Sequence, residues 1–170
     1  LEKNIEVILG DNGSKDKTFN KITEFKNKIK NKNLNILRIK KNIGYGNGIL
    51  EGLKIAKSEL LSWTHADMQT DPKDVLKGLS FFKNKKEKIF VKGIRNGRSY
   101  KDRIFTIGMS IFCSLILNQI LWDINAQPTI FAKSFFDTWS NPPDDFSLDL
   151  YVYNLAKKMD YEIKRFPVTF

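Results

Sequence analysis

Leu60-Leu61-Ser62-Trp63-Thr64-His65-Ala66-Asp67-Met68-Gln69-Thr70-Asp71-Pro72 is the stretch that decides how this chain folds. Its first four residues form a short apolar run, which predicts a buried strand. Asp71 is a favourable helix N-cap, and Pro72 suits the first helical position, where an N–H would be unsatisfied anyway. The polar residues between them therefore stand at the exit of a strand, where open α/β sheets hold their ligands. Asp67 and Gln69 alternate within the turn, so both can face one ligand. Hard oxygen donors of this kind suit Mg²⁺ or Mn²⁺ and, through the metal, a diphosphate. A plain polar turn between strand and helix is the simpler account of the same residues.

Two upstream segments repeat the pattern. Ile5-Glu6-Val7-Ile8-Leu9 reads as a strand that breaks into Gly10-Asp11-Asn12-Gly13-Ser14-Lys15-Asp16. Leu34-Asn35-Ile36-Leu37-Arg38-Ile39 reads as another, followed by Asn42-Ile43-Gly44-Tyr45-Gly46-Asn47-Gly48 and a helix. The ordered set D-N-G-S-x-D, N-x-G-x-G-x-G and A-D-x-Q-x-D-P resembles a family 2 glycosyltransferase of the GT-A fold. It is most similar to the dolichol- or polyprenyl-phosphate mannosyltransferase-like branch, and the likeness covers nearly the whole chain. Arg95, the segment from Asp123 to Phe131, and the closing Arg165-Phe166-Pro167-Val168-Thr169-Phe170 also fit that branch.

The resemblance implies a three-layer α/β/α sandwich with a mostly parallel sheet, Rossmann-like, as in nucleotide-diphospho-sugar transferases. It also implies that residues 1–170 are one catalytic domain. In the resembled family another strand and helix precede this point, and the chain opens at Leu1 almost directly into a strand. The expectation is an N-terminally truncated domain.

Composition limits the alternatives. At 170 residues with 41% hydrophobic content, the chain is long and apolar enough for a sizeable core. A net charge of +10 favours anionic partners: phosphorylated substrates, an anionic membrane surface or nucleic acid. No nucleic-acid-binding signature accompanies the charge, and runs such as Lys26-Asn27-Lys28-Ile29-Lys30-Asn31-Lys32 read as a solvated helix end. The single Cys113 allows neither a disulfide framework nor a zinc site and reads as a structural thiol. No signal-peptide pattern is present.

Strand and helix patterns alternate as in βαβ units. Phe19, Ile22, Phe25 and Ile29 make one helix face, Ile49, Leu50, Leu53 and Ala56 a second, and Val75, Leu76, Leu79 and Phe82 a third; all three are expected to be core. Lys88-Ile89-Phe90-Val91 and Tyr161-Glu162-Ile163-Lys164-Arg165-Phe166 are further strands, and a helix begins near Phe146. Residues 104–122 carry no charge, which is about the length of a bilayer span. Thr106, Ser110, Ser114, Asn118 and Gln119 interrupt the stretch, so a helix on a membrane surface or in the core is expected rather than a span.

Each site residue takes an expected role from the resemblance. Asp11, Asn12, Ser14, Asn42, Gly44, Gly48, His65 and Asp67 would hold the donor nucleotide. Asp67, Gln69 and His65 would hold Mg²⁺ or Mn²⁺. The family pattern is usually D-x-D, and here His65-Ala66-Asp67 replaces the first carboxylate with the chain's one histidine. An imidazole can bind Mn²⁺ but lowers the site's negative charge by one. Arg95, Arg103 and Arg165, with Arg98 and Lys101 near, would meet the phosphate of a lipid-linked acceptor; a solvated basic loop is the plainer account of that segment. Asp67, Asp149 and Asp123 are the candidate catalytic carboxylates, with Asp145 behind Asp149. Asp16 either supports the first loop or charges a helix start.

The expected activity is metal-assisted, inverting transfer from a nucleotide sugar to a polyprenyl phosphate. It would be carried out in the cytoplasm, peripherally on the inner face of a membrane. Transfer to a saccharide hydroxyl in cell-surface polysaccharide assembly, and a degenerate non-catalytic nucleotide-sugar-binding domain, are the alternatives.

Overall fold

The computed structural model describes residues 4–67, 69–83, 88–97 and 99–169. Leu1, Met68, Arg98 and Phe170, which the sequence analysis named, lie outside these. In chain order the elements are β1 (Val7–Asp11), α1 (Thr18–Ile29), β2 (Leu34–Arg38), α2 (Tyr45–Ile55), β3 (Leu60–Trp63) and α3 (Asp74–Leu79). A 3-10 turn, Ser80–Phe82, leads to β4 (Ile89–Asn96), α4 (Tyr100–Leu117), β5 (Thr129–Ala132), α5 (Lys133–Phe136), α6 (Leu148–Lys158) and β6 (Glu162–Thr169). The chain divides into two compact units, Leu1–Ser58 with Pro143–Leu148, and Glu59–Pro142 with Asp149–Phe170.

In the first unit β1 and β2 pair in parallel, from Val7 opposite Leu34 to Asp11 opposite Arg38. The ladder carries β1 two residues beyond the expected strand, because backbone pairing tolerates the polar Asp11 at its end. Leu50 and Leu53 of α2 are buried as expected. The expected core face of α1 is corrected: no residue of α1 is fully buried, and Phe25 and Ile29 are exposed. Two strands offer too narrow a face to cover a whole helical stripe.

The second unit is a four-stranded sheet in the order β3-β5-β4-β6. β5 runs antiparallel to both β3 and β4, over four and three residue pairs, whereas β4 and β6 run parallel over eight. With the five parallel pairs of the first unit, the parallel ladders are the longer ones, as expected of this fold class. Phe90, Phe131 and Phe135 are fully buried and meet ring to ring at 5.6–6.1 Å, a geometry that adds about 0.5–1.5 kcal/mol per pair beyond area burial. Val75 and Leu79 of α3, with Phe82, pack on Ile89, Val91 and Ile130. Leu76 of the same expected face points to solvent instead.

The expected cap is corrected: Lys73, not Asp71, stands at the N-cap of α3, and no side chain caps the helix. Asp71 Oδ1 accepts the Lys73 N–H at 2.9 Å, and Asp74 and Val75 donate to the carbonyls of Asp71 and Pro72. These bonds close a turn at Pro72 and Lys73 that leads into the helix, so Asp71 shapes the approach and α3 starts at Asp74.

Candidate donor and acceptor sites

The loop after β1 is built around Asp11, which ends the strand and is 2% exposed. Its Oδ1 accepts the Ser14 N–H at 3.1 Å, which curls the loop back on the strand. Its Oδ2 is buried with no hydrogen-bond donor; Arg38 Nε stands 4.0 Å away. A buried acceptor left without a donor costs about 1–3 kcal/mol, and more when charged. An incoming N–H or O–H, such as a base edge or ribose hydroxyl carries, would relieve that cost.

Asn12 ties this loop to the next. Its Nδ2 donates to the Gly44 carbonyl at 2.9 Å and to Asn42 Oδ1 at 3.3 Å, and Asn42 Oδ1 also accepts the Gly44 N–H at 3.1 Å. Asn12 Oδ1 is buried without a hydrogen-bond partner. Gly44 and Gly46 have a clear steric reason. A Cβ on Gly44 would collide with the Asp144 carbonyl, and one on Gly46 would lie 2.6 Å from the Pro143 carbonyl oxygen. The close neighbour of these glycines is thus the chain's own segment 143–145. It is fixed there by the Asn47 N–H bond to Asp144 O at 2.8 Å and by stacking of Tyr45 on Phe146 at 4.7 Å. Gly48 faces the Asn12 side chain, 3.1 Å from a built Cβ. Asp16 accepts the Thr18 N–H at 2.9 Å and so charges the start of α1; bonding to Thr18 lowers its carboxyl pKa.

In the second unit, Asp67 and Gln69 are exposed just past β3, and Asp67 Oδ1 accepts the Gln69 N–H at 3.1 Å. His65 is half-buried. Among the described residues no three His, Cys, Asp or Glu side chains gather as a metal cage. One carboxylate with an amide and an imidazole fits Mg²⁺ or Mn²⁺ only as these ions commonly bind, with phosphate oxygens and waters completing the shell.

The candidate acceptor residues divide sharply. Asp123 is buried and holds Arg95 on three bonds: Oδ1 accepts from Nε at 2.8 Å and from Nη2, and Oδ2 accepts the Arg95 backbone N–H at 2.9 Å. Arg165 donates to the carbonyls of Gly93 at 2.7 Å and Trp122 at 2.6 Å. Arg95 and Arg165 are therefore bonded into the scaffold, while Arg103, on the first turn of α4, is exposed.

Asp149 sits in the first turn of α6, 2% exposed, and its Oδ1 accepts from Lys92 Nζ at 3.0 Å. Lys92 is wholly buried in β4 and also donates to Thr129 Oγ1 at 2.9 Å. Burial holds the Lys92 pKa below its ordinary value, against the opposing pull of Asp149. Sequence reasoning missed Lys92. The available signal was its place inside the apolar run Ile89-Phe90-Val91-Lys92-Gly93-Ile94, where a solvated lysine would be out of pattern. Asp145 turns back on Ser147, whose hydroxyl and N–H lie 2.6 and 2.8 Å from Oδ1 and lower its pKa.

The model of glycosyl transferase family 2 matches residues 1–141. No curated protein matches the chain in sequence. Among solved structures, it resembles the mannosyltransferase PcManGT from Pyrobaculum calidifontis, in complex with GDP-Man and Mn²⁺, with a TM-score of 0.71 and 14% identity over 97% of this chain and 47% of that one. Glucosyl-3-phosphoglycerate synthase from Mycobacterium tuberculosis, with Mn²⁺, UDP and glucosyl-3-phosphoglycerate, gives 0.70 and 11% over 96% of this chain and 59% of that one. TarS 1-349 of S. aureus gives 0.60 and 16% over 100% and 50%. The chain thus spans between about half and three fifths of these relatives. At such identities the likeness establishes the fold, that of GT-A transferases.

Proposed function

The chain belongs to glycosyl transferase family 2, and on that premise we propose that it moves a sugar from a nucleotide-diphosphate donor to a polyprenyl-phosphate acceptor, with inversion at the anomeric carbon. One observation carries the donor half: the buried Asp11 Oδ2 has no hydrogen-bond donor, in a loop braced by Asn12, Asn42 and the Gly44 backbone. A nucleoside supplies the missing donor. Ser14 keeps Asp11 oriented, and Asn42 and Gly48 shape the wall beside it.

Asp67, Gln69 and His65 would hold Mg²⁺ or Mn²⁺ against the diphosphate; the Mn²⁺ in two of the structural relatives supports this choice. When bound, the ion supplies Lewis-acid stabilisation of the charge that develops on the leaving diphosphate. Arg103 and Lys101 are exposed at the start of α4 and suit an acceptor phosphate. Such a phosphate, with a second pKa of about 6, is already an anionic nucleophile near neutral pH and needs no strong base. Asp123 then acts by holding Arg95 and the β4 end, and Asp149 by its tie to Lys92. A lipid-held acceptor makes the protein a peripheral one, working at the cytoplasmic face of a membrane.

A second acceptor class has an observation in its favour. Arg95 and Arg165 are committed internally, which leaves fewer cations for a phosphate. Transfer to a saccharide hydroxyl, as in cell-surface polysaccharide assembly, would need a base. Asp149 is the carboxylate for that role.

The test is thermal stabilisation by UDP and GDP, with and without Mn²⁺, followed by transfer assays with polyprenyl phosphate and with soluble saccharides. Nucleotide should raise the melting temperature, and Mn²⁺ should raise it further. Asp11→Asn should weaken nucleotide binding roughly tenfold, a loss of about 1.4 kcal/mol. Asp67→Asn should remove the Mn²⁺ effect, and His65→Asp should enlarge it by adding an anionic ligand. No shift with any nucleoside diphosphate would refute the proposal. Binding without transfer would leave a degenerate nucleotide-sugar-binding domain.

A further inference from the structure

The helix α4 is inside out. Its inward residues are polar: Thr106 and Ser110 are buried, Ser110 at 1% exposure. Ser110 Oγ accepts the Asp123 N–H at 3.2 Å. Ser114 Oγ donates to the Ser110 carbonyl at 2.6 Å and accepts the Leu121 N–H at 2.9 Å. The outward residues are large and apolar. Phe105, Phe112, Leu115 and Ile116 are 64–77% exposed, and Ile120, just past the helix, is 82% exposed. Ser110, Ile111, Leu115, Ile120 and Trp122 also border a shallow apolar cleft of about 240 Å³. An exposed apolar surface this continuous marks an interaction site.

We propose that the outer face of α4 docks on an anionic lipid surface, the helix lying in the plane of the headgroups. Three observations select that occupant. Between Arg103 and Asp123 no charged residue interrupts the stretch, and Lys101 and Arg103 stand exposed at its head; Asp102, between them, is turned onto Ser99 Oγ at 2.7 Å. Tyr100 and Trp122, both exposed, bracket the apolar face at its two ends, and rings of this kind sit at headgroup level. The chain carries a net charge of +10, which attracts an anionic leaflet and opposes pairing with a second copy of itself. Eighteen residues of helix extend about 27 Å. Among the described residues no helix is long and apolar enough to cross a membrane, so α4 lies on the surface. The inference deepens the lipid-acceptor reading by naming the docking surface, and the two can fail separately.

The experiment is flotation of the full chain with vesicles of phosphatidylcholine, alone or mixed with phosphatidylglycerol. The chain should float with the mixed vesicles, less so as salt rises. Phe112→Ser/Leu115→Ser/Ile116→Ser should weaken partitioning by at least about 100-fold, since each large apolar side chain withdrawn from water is worth about tenfold or more. All three side chains are exposed, so the variant should keep the wild-type nucleotide-induced melting shift. Lys101→Glu should weaken binding at low salt and match wild type at high salt. Three results would each overturn the proposal: no flotation with phosphatidylglycerol, equal flotation of the triple variant, or a wild-type dimer that the triple variant dissolves. If flotation holds while the sugar goes only to soluble saccharides, the acceptor reading falls and the docking surface stands.

Discussion

Asp123→Ala is the perturbation that separates scaffold from acceptor chemistry. The Asp123 carboxylate is the counter-charge for Arg95, whose side chain is only 10% exposed, and it also accepts the Arg95 backbone N–H. Deleting one partner of a buried pair costs about 3–5 kcal/mol, because the other charge is left uncompensated. The slight exposure of Arg95 puts this case at the lower end, about 3 kcal/mol. The orphaned Arg95 N–H adds about 1 kcal/mol. Asp123 also has a left-handed backbone, φ 46°, which an alanine adopts at about 1 kcal/mol more. The sum, about 4–5 kcal/mol, is a large share of the 5–15 kcal/mol that holds a typical domain together. Asp123→Asn tolerates the same φ and keeps an acceptor oxygen, so its loss should be about 1–3 kcal/mol. Urea denaturation followed by tryptophan fluorescence and by circular dichroism measures both, and disagreement of the two probes would expose separate melting of the two units. Arg95→Met and the double variant complete the cycle, and the double should lose less than the sum of the singles. If Asp123→Ala costs under about 1 kcal/mol while abolishing transfer to a lipid phosphate, the scaffold assignment is wrong and Asp123 belongs to the acceptor chemistry.

Gly46→Ala should cost about 1–3 kcal/mol by overpacking against Pro143 and Asp144, and should loosen the donor loop. Gly52→Ala, with open space around it in the same helix, should gain up to about 1 kcal/mol, and denaturation midpoints compare the two. Lys92 has a folded pKa below its ordinary 10.5, so between those two values the unfolded chain binds more protons and stability should rise with pH. Lys92→Met should flatten that slope, read from denaturation midpoints between about pH 7 and pH 10.

The parts of the fold legible in the sequence are those written in neighbouring residues. Leu60–Trp63 is legible because its apolar run ends at a polar turn, whereas the start of α3 is not: Asp71 bonds the Lys73 N–H in a turn ahead of the helix rather than capping it. From sequence alone β4 ends at Val91, since Lys92 reads as a strand end. Only its eight-residue parallel ladder with β6 carries it on to Asn96. The same distance hides the Lys92–Asp149 pair, whose partners are 57 residues apart. Arg95 and Arg165 show what a sequence leaves open. A guanidinium that binds phosphate and one that binds a buried carboxylate or carbonyls look the same in sequence, and only the partners distinguish them. β5 was missed because Thr129–Ala132 is too short to announce a strand without the two neighbours between which it runs. For α4 the uncharged stretch was visible, but not that its serines would turn inward and its aromatic and aliphatic side chains outward.

The seat that Gly44 and Gly46 provide for segment 143–145 sets an order of events during synthesis. The first unit takes its last piece, Pro143–Leu148, from beyond the whole of residues 59–142. At about 5–20 residues per second, the start of α2 emerges from the ribosome on the order of ten seconds before the segment that covers it. Over that interval the backbone around Gly44 to Asn47 stands bare, and the Asn47 N–H has no Asp144 carbonyl to meet. The backbone from Gly44 to Asn47 therefore reaches its final contacts only after most of the second unit has left the ribosome. A nascent chain halted before Pro143 should leave the start of α2 open to protease, however well its first two strands have paired.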